Sequence, residues 1–484
     1  MVEEVCRLHV AEFREGFHSE FVVTSNRLPW HVAPADSFEV LIREKPMLKK
    51  FLYLDNWSKL AVVYLWSSQF IGKASVYIGL AMGGLLIFSA RVLWDRWYLA
   101  LTRGTDPLNR LAWALLVSVL YGFAQVIRGT LIGYSVLYAF QILVFNLCPV
   151  YLFLGLWIGF RHPGFIQKYI RFLAWLSVVY IPLYFIFFKN MHITLAGLVP
   201  GSGLDILANP GSGSLTLLGL LTVERSLAQF WLPIVVLVCM TIAYQERADW
   251  LGFGLCLMVW GKLTNRMGRF MAIIGCVFGV LLIASLIDLK LPPMPGRGGE
   301  LSARGTLARM AGSISPEFAR QFGVDAATAR FDYGTVYWRK HWWANIRNEV
   351  TKDYKTEIFG MGYGYPLAKL ASRDVEKEGT RSPHSVFYFT LAYSGIVGFG
   401  IFLWLQICMM LLLWRIFKIS GETFGLIYWL FTLIGAFFGN LIETPQAAIP
   451  LYLLCGMAMG PFFLRADRVY EEEPAVPAHV AELV

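Results

Sequence analysis

The sequence is short of charge. Asp, Glu, Lys and Arg make up 15% of the chain, whereas hydrophobic residues make up 57% and include 36 Phe, 22 Tyr and 17 Trp. An ordinary soluble domain has about 25% charged residues. The composition also excludes a disordered chain, a collagen and a coiled coil, because so much apolar area has to be buried in protein or in lipid. We therefore expect a membrane protein.

Cysteine is also scarce and forms no recognisable framework. Of the 7 cysteines, only Cys6 lies in a polar stretch, and the others lie in apolar runs. This usage predicts neither disulfides nor a metal site. The first fifty residues lack the basic start, apolar middle and small-residue cleavage site of a signal peptide, so we expect none. The net charge of +9 is explained first by basic loops on the cytoplasmic side, and no nucleic-acid partner is expected.

Long apolar runs occupy most of the chain, and a transmembrane helix needs about twenty such residues. The runs lie near 57–72, 75–93, 111–127, 134–159, 168–188, 227–244, 249–263, 269–289, 396–417, 423–440 and 447–464. Basic clusters at 91–110, 161–171 and 262–269 should all lie on the cytoplasmic side. The three runs between the second and third clusters would instead put those clusters on opposite sides of the membrane. The conflict disappears if 214–226 is a short inward crossing.

The expected fold is an all-α polytopic membrane protein with about twelve transmembrane helices and one large periplasmic loop. Its divisions are a cytoplasmic N-terminal segment 1–55, transmembrane helices 1–9 in 56–289, the periplasmic loop 290–382, transmembrane helices 10–12 in 383–465 and a cytoplasmic tail 466–484.

Two ionisable groups on the non-cytoplasmic side are candidates for a functional role. His384 begins an apolar helix in RSPHSVFYFTLAYSGIVG, with Arg381 just before it. There a half-solvated imidazole is able to act as a base, and the structural alternative is a His that caps the helix start. Glu443 in GNLIETPQAAIP should face the same side. An acid near membrane depth is a functional candidate, although a salt bridge to an arginine explains it equally well.

Two arginines are candidates for binding an anion. Arg247, in YQERADW, opens a span on the side where the positive-inside rule does not favour it, which suits a bidentate phosphate contact or anchoring to lipid headgroups. Arg330 precedes FDYGTVYWRKHWWANI, an amphipathic stretch expected to lie along the membrane with its Trp residues at the interface. Asp205 is expected to be a turn residue.

Other catalytic patterns are missing. The glycine-rich GMGYGYP, Gly360–Pro366, follows no evident strand, so we favour a tight turn over a phosphate loop. No carboxylate pair, serine elbow or metal-binding His motif commits the chain to hydrolysis.

The order of ANP with an apolar helix, an Arg that opens a span, Arg330 before a Trp-containing helix, GMGYG, and HS followed by GIVG resembles the O-antigen ligase/polymerase superfamily. The resemblance covers roughly 190–464 and is strongest over 360–398. It implies a GT-C-like bundle in the bacterial inner membrane, with its active site facing the periplasm. The first five spans match only as hydrophobic helices.

The resemblance implies a glycan donor on undecaprenyl pyrophosphate, a glycan, lipid or protein acceptor, and no cofactor or metal. It makes His384 the catalytic base or an acceptor-positioning residue, and Arg247 and Arg330 the pyrophosphate ligands. Arg247 stands in YQER rather than the family's usual TxSR, and Arg266 in LTNR is its rival by local sequence. Tyr393 and Ser394 stand where the family often has a Glu. A membrane transporter or flippase of lipid-linked glycan is the alternative function.

We predict that a cysteine in place of Ser302 is labelled by a membrane-impermeant thiol reagent in spheroplasts, and that one in place of Ser420 is not. The charge pattern puts Ser302 in the periplasmic loop and Ser420 beside Arg415 and Lys418. Labelling at position 420 alone would invert the topology.

Overall fold

The computed structural model describes residues 61, 63–65, 107–188, 213–224, 226–244, 246–287, 302–312, 314–323, 326–371, 382–439 and 441–471. Of these residues, 85% are helical and none forms a strand, which confirms the all-α expectation for this part of the chain. The segment 1–55, the run predicted near 75–93 and Asp205 lie outside the described residues.

The apolar runs before the polar stretch form helices close to the predicted bounds. These are α1 Pro107–Ile132, α2 Val136–Leu147, α3 Tyr151–Arg161, α4 Phe165–Leu183, α5 Ser214–Val223, α6 Trp231–Tyr244, α7 Arg247–Leu263 and α8 Met267–Leu286. The run predicted near 134–159 is divided, because Pro149 lies in a 3-10 turn between α2 and α3. Proline has no backbone N–H to continue an α-helix.

The polar stretch is helical as well. It contains α9 Ala303–Ala311, α10 Pro316–Arg320, α11 Ala326–Val350 and α12 Tyr354–Phe359. Ser302, Ser315 and Asp353 begin α9, α10 and α12, and each accepts a backbone N–H of the first turn. Three further helices complete the described chain: α13 Val386–Ser420, α14 Phe424–Phe438 and α15 Pro445–Glu471.

The bundle has two distinct ends. α1 and α13 run antiparallel, since Tyr121 contacts Ser394 while Arg110 lies near Cys408. Short connections then join α13 to α14 at one end and α14 to α15 at the other. We call the end that carries Ile132, Ser385 and Phe438 the loop end, and the end that carries Arg161, Arg171 and Lys418 the basic end.

An ion pair ties α5 to the basic end. Glu224, directly after α5, is 3% exposed, and its Oε2 accepts a hydrogen bond from Nη2 of Arg171 in α4 at 2.9 Å. A second contact joins Nε of Arg171 to the same carboxylate. The other end of α5 begins at Gly213, which packs against the backbone of Leu237 in α6. α5 therefore runs from the loop end towards the basic end, which is the direction expected for the short crossing at 214–226.

The longest helix, α13, is kinked at Gly395, where φ is 63° and ψ is −164°. The kink removes helical partners from the carbonyl groups of 392–394, and such groups have to find others inside an apolar bundle. Three donors from outside the helix replace them. They are the N–H of Met361 to Ala392 at 2.8 Å, the N–H of Gly362 to Tyr393 at 3.2 Å, and the hydroxyl of Tyr121 to Ser394 at 2.6 Å.

The glycine-rich segment is the tight turn that we favoured, and it packs on this kink. A Cβ on Gly360 would lie 2.4 Å from the backbone N of Ser394, and a Cβ on Gly395 would lie 2.4 Å from the N of Gly360. The guanidinium of Arg128 donates to the carbonyls of Phe359 and Gly360 at 2.7 and 2.8 Å. The segment follows α12, not a strand.

In the described residues, 4 helices are long and apolar enough to cross a membrane: Leu108–Ile132, Val136–Arg161, Met267–Leu286 and Val386–Ser420. Ser214–Val223, Ala228–Ala243 and Phe424–Phe438 are shorter apolar helices. This is the helix content of a membrane protein. A total of about twelve spans requires these shorter helices and further segments as crossings.

Glycines let α3 and α15 pack in parallel with their backbones in contact. A Cβ on Gly155 would lie 2.1 Å from the carbonyl O of Leu453, and one on Gly159 would lie 2.2 Å from that of Met457. Gly456 and Gly460 make the reciprocal approaches from α15. Such small-residue contacts are how helices associate closely in membranes.

We predict that Gly159→Ala lowers the melting temperature in detergent, because its methyl group forces α3 and α15 apart at a cost of about 1–3 kcal/mol. The matched control is Gly254→Ala in α7, where nothing lies within 4 Å of the new methyl group. The control should be unchanged or slightly more stable, since Ala favours helix over Gly. Equal melting temperatures for the two variants would contradict the packing argument.

Candidate functional site

The segment Ser382–Ser385 leads into α13 at the loop end. Pro383 fixes its own φ and favours an extended conformation for Ser382. His384 has φ of 55°, a left-handed conformation that a residue with a Cβ adopts only at a cost. The N-cap of α13 is Ser385, so the interpretation of His384 as the helix cap is wrong. The half-buried imidazole agrees with the expected partial solvation.

Hydrogen bonds hold His384 in this conformation. Its backbone N–H donates to Oγ of Ser382 at 3.0 Å. The hydroxyl of Ser382 in turn donates to the carboxyl group of Glu443, which lies in the turn between α14 and α15. An acid that is distant in sequence is thus connected through one hydroxyl to the backbone of His384.

The Glu443 carboxyl group is buried, although parts of the residue reach the surface. Burial raises the pKa of Glu443 to about 8, even though the Ser382 hydroxyl and the backbone N–H of Ser385 favour the ionised form. The group is therefore mostly protonated at neutral pH. Among the described residues Glu443 forms no ion pair, and the side chains of Arg330 and Arg381, two of the arginines with which it was expected to pair, lie outside them.

Two further buried atoms mark the same place. Oε1 of Glu443 and Oγ of Ser385 have no hydrogen-bond partner among the residues that the structure describes. Ser385 is 1% exposed. Buried polar atoms are normally paired, so two such oxygens beside one histidine make this segment unusual.

Aromatic side chains of α11 cover the segment from the other side. The Trp338 ring lies 6.4 Å from the imidazole of His384, with the two planes at 65°. Nε1 of Trp343 donates to the carbonyl of Pro383 at 2.8 Å. The Trp343 ring also stacks on Tyr388 in the first turn of α13, at 4.9 Å and 11°. The segment is therefore held by α11 as well as by Glu443.

The predicted helix over 331–346 is confirmed as part of α11, but its orientation differs from the expectation. Trp342 is 1% exposed, and its Nε1 donates to the carbonyl of Leu367 at 3.2 Å. The expectation of a Trp at the membrane interface is wrong for this residue. Trp338 and Trp342 are four residues apart and share one helix face, which packs on protein.

The predicted arginines are placed in part. Arg247 is the first residue of α7 and follows α6, whose Thr241 lies against Ser214 at the end of α5 opposite Glu224. Arg247 therefore lies towards the loop end. Arg330 lies in the first turns of α11, about 12 Å along the helix axis from Trp338. The side chain of Arg330 and the whole of Arg381 lie outside the described residues. The rival Arg266 lies at the basic end, over the ring of Trp260.

The structure thus brings His384 and Glu443 together through Ser382, a residue that the sequence did not single out. The dipeptide Ser-Pro before a helix was the only local signal for it. Among the described residues, no group of three or more His, Cys, Asp or Glu is arranged to hold a metal ion. The groups that are present supply a base and a neutral acid.

No family model matches this chain, and no curated protein matches it.

We predict that the melting temperature in detergent falls as the pH rises from 6 to 9, and that Glu443→Gln flattens this dependence. The folded-state pKa of Glu443 is raised from 4.5 to about 8. The protonated form therefore adds stability that is fully present below pH 4.5 and is lost as the pH rises through 8. A Glu443→Gln protein with the wild-type slope would contradict the buried neutral acid.

Proposed function

We propose that this protein is a glycosyltransferase that moves a glycan from undecaprenyl pyrophosphate to an acceptor hydroxyl at the periplasmic face of the bacterial inner membrane. The observation that carries the proposal is the setting of His384. Its imidazole is half-buried at the start of an apolar helix, and its backbone is fixed through Ser382 by Glu443. A base in this position meets a substrate whose lipid lies in the bilayer and whose sugar lies outside it.

The chemistry assigns one role to the histidine. The acceptor hydroxyl loses its proton to His384 as its oxygen attacks the anomeric carbon, and the bond from that carbon to the pyrophosphate breaks. A positioned base contributes on the order of 10²–10⁴ to the rate. Glu443 is buried and mostly protonated, so it does not suit a nucleophile. A single displacement with inversion is the mechanism that these groups support.

The leaving group needs positive charge. Pyrophosphate gains negative charge as the glycosidic bond breaks, so guanidinium groups aimed at it act mainly in the transition state. Arg247 and Arg330 are the proposed pair, and Arg381 is a supporting candidate. With these residues in that role the reaction requires no metal ion, nucleotide or other cofactor.

The proposed topology follows the two ends of the bundle. The basic end carries Arg161, Arg171 and Lys418, as expected of a cytoplasmic surface, and the loop end is then periplasmic. About twelve spans with both termini cytoplasmic complete the scheme. The acceptor can be a glycan, a lipid or a protein, since a ligase, a polymerase and a protein glycosyltransferase share this chemistry.

A transporter or flippase of the lipid-linked glycan is the rival function. Transporters place ionisable groups near the middle of the bilayer. In the described bundle the buried polar network formed by Ser118, Asn146 and Tyr363 is neutral and internally hydrogen-bonded. This network suits a structural role, and the enzyme proposal is therefore favoured.

The proposal predicts that purified protein in detergent, given lipid-linked glycan and acceptor without nucleotide, forms the glycosylated acceptor and releases undecaprenyl pyrophosphate. His384→Ala should abolish transfer while expression and membrane insertion persist, because a half-buried side chain contributes little to the core. Arg247→Lys and Arg330→Lys should impair transfer strongly, since lysine keeps the charge but loses the planar fork that binds phosphate.

The same assay decides against the proposal if wild-type protein moves lipid between leaflets without releasing undecaprenyl pyrophosphate, which would indicate a flippase. Normal transfer by His384→Ala would remove the histidine from the chemistry. Normal rates for both lysine variants would remove the arginines from the pyrophosphate site, because a point charge is sufficient for lipid headgroups.

A further inference from the structure

We infer that Ser382 and Glu443 form a positioning relay for His384, in which the Glu443 carboxyl group orients the Ser382 hydroxyl, the hydroxyl holds the backbone N–H of His384, and the imidazole is thereby fixed towards the acceptor. This inference rests on the proposed role of His384 as the base. Neither Ser382 nor Glu443 contacts substrate in it, so both are positioning residues.

The first step of the argument is the backbone of His384. Its φ of 55° is one of two positive values among the described residues other than glycine, and Asn265 has the other. Asparagine tolerates this conformation well, because its short side chain bonds locally. His384 has its own local support, the 3.0 Å hydrogen bond from its N–H to Oγ of Ser382.

The second step is the direction of the Ser382 hydroxyl. A serine has one O–H donor and an oxygen that accepts. Because the oxygen accepts the N–H of His384, the single O–H is available for Glu443, and that contact is formed. Removing either end of the relay therefore releases the other.

The third step is the restricted conformation of the chain between Ser382 and His384. Pro383 joins Ser382 to His384 with a fixed φ, and its carbonyl is bound by Trp343. The Trp338 ring lies 6.4 Å from the imidazole, with the two planes at 65°. The direction of the imidazole thus depends on one backbone conformation, and the relay maintains that conformation.

Glutamine tests the chemical form of the acid. The relay needs an acceptor oxygen at position 443 and no negative charge, in keeping with the raised pKa of Glu443. Glu443→Gln supplies the oxygen and should preserve function, whereas Glu443→Ala should not. Ser382→Thr keeps the hydroxyl and should also preserve function, whereas Ser382→Ala should not.

The experiment measures transfer kinetics and the carbethoxylation rate of His384 by diethyl pyrocarbonate, read by mass spectrometry. Ser382→Ala and Glu443→Ala should lower kcat by about 100-fold with the donor KM unchanged, because a misplaced catalytic group costs rate and not donor binding. Both should speed modification of His384 but not of His341, an exposed histidine stacked on Tyr337 in α11.

Ser315→Ala is the matched control. Ser315 also precedes a proline, and its Oγ also accepts a backbone N–H, from Phe318 at 3.1 Å. This variant should match wild type in both measurements. A general loss of folded protein would lower transfer in all variants without separating alanine from threonine at position 382.

Several results would overturn the relay: wild-type kcat in Ser382→Ala, a change in donor KM alone, no rescue by threonine, or equal losses in Glu443→Gln and Glu443→Ala. If wild-type protein transfers no glycan, the proposed function fails, and the modification rate decides the relay. Faster modification of His384 in both alanine variants would then still support it, and unchanged rates would refute it.

Discussion

The unpaired backbone of α13 at Gly395 is the constraint on which the loop end depends. A kink inside an apolar bundle exposes carbonyl groups that lipid does not satisfy. The N–H groups of Met361 and Gly362 satisfy two of them, and only glycine at 360 and 395 allows the backbones to approach so closely. Arg128 then fastens the turn to α1. The polar stretch is thereby attached to the membrane helices at a fixed point.

The site follows from that attachment. The glycine-rich turn comes directly after α12, and α12 comes directly after α11, so α11 lies beside the first part of α13. Trp338 and Trp343 therefore reach the segment before α13, where His384 lies. Glu443 reaches the same segment because α14 returns to the loop end. Elements from three distant parts of the chain meet at one histidine.

The sequence predicted those features that follow from hydrophobicity and charge along the chain. Apolar runs predicted most described helices, and the distribution of arginine and lysine predicted a short helix at 214–226, where the structure has α5. The chemical candidates His384 and Glu443 were visible as polar groups in apolar surroundings.

The sequence did not predict features that depend on which distant segments pack against each other. The inward face of Trp342 depends on which side of an amphipathic helix meets protein, and aromatic residues suit a protein core and a membrane interface equally. Ser382 carries no signal of its own, because its role exists only once α14 brings Glu443 beside it. The contact between Gly360 and Gly395 likewise joins two segments that no local pattern pairs.

Two buried acids, Glu224 and Glu443, show how environment assigns different roles to one side chain. Glu224 lies at the basic end, and the guanidinium of Arg171 contacts both of its carboxylate oxygens. The negative charge of Glu224 is therefore compensated by a neighbouring positive charge. Glu443 lies at the loop end without an ion pair among the described residues, so burial favours its neutral form. At the loop end the neutral form lets Glu443 hold the Ser382 hydroxyl without placing an uncompensated negative charge beside the segment that leads into α13.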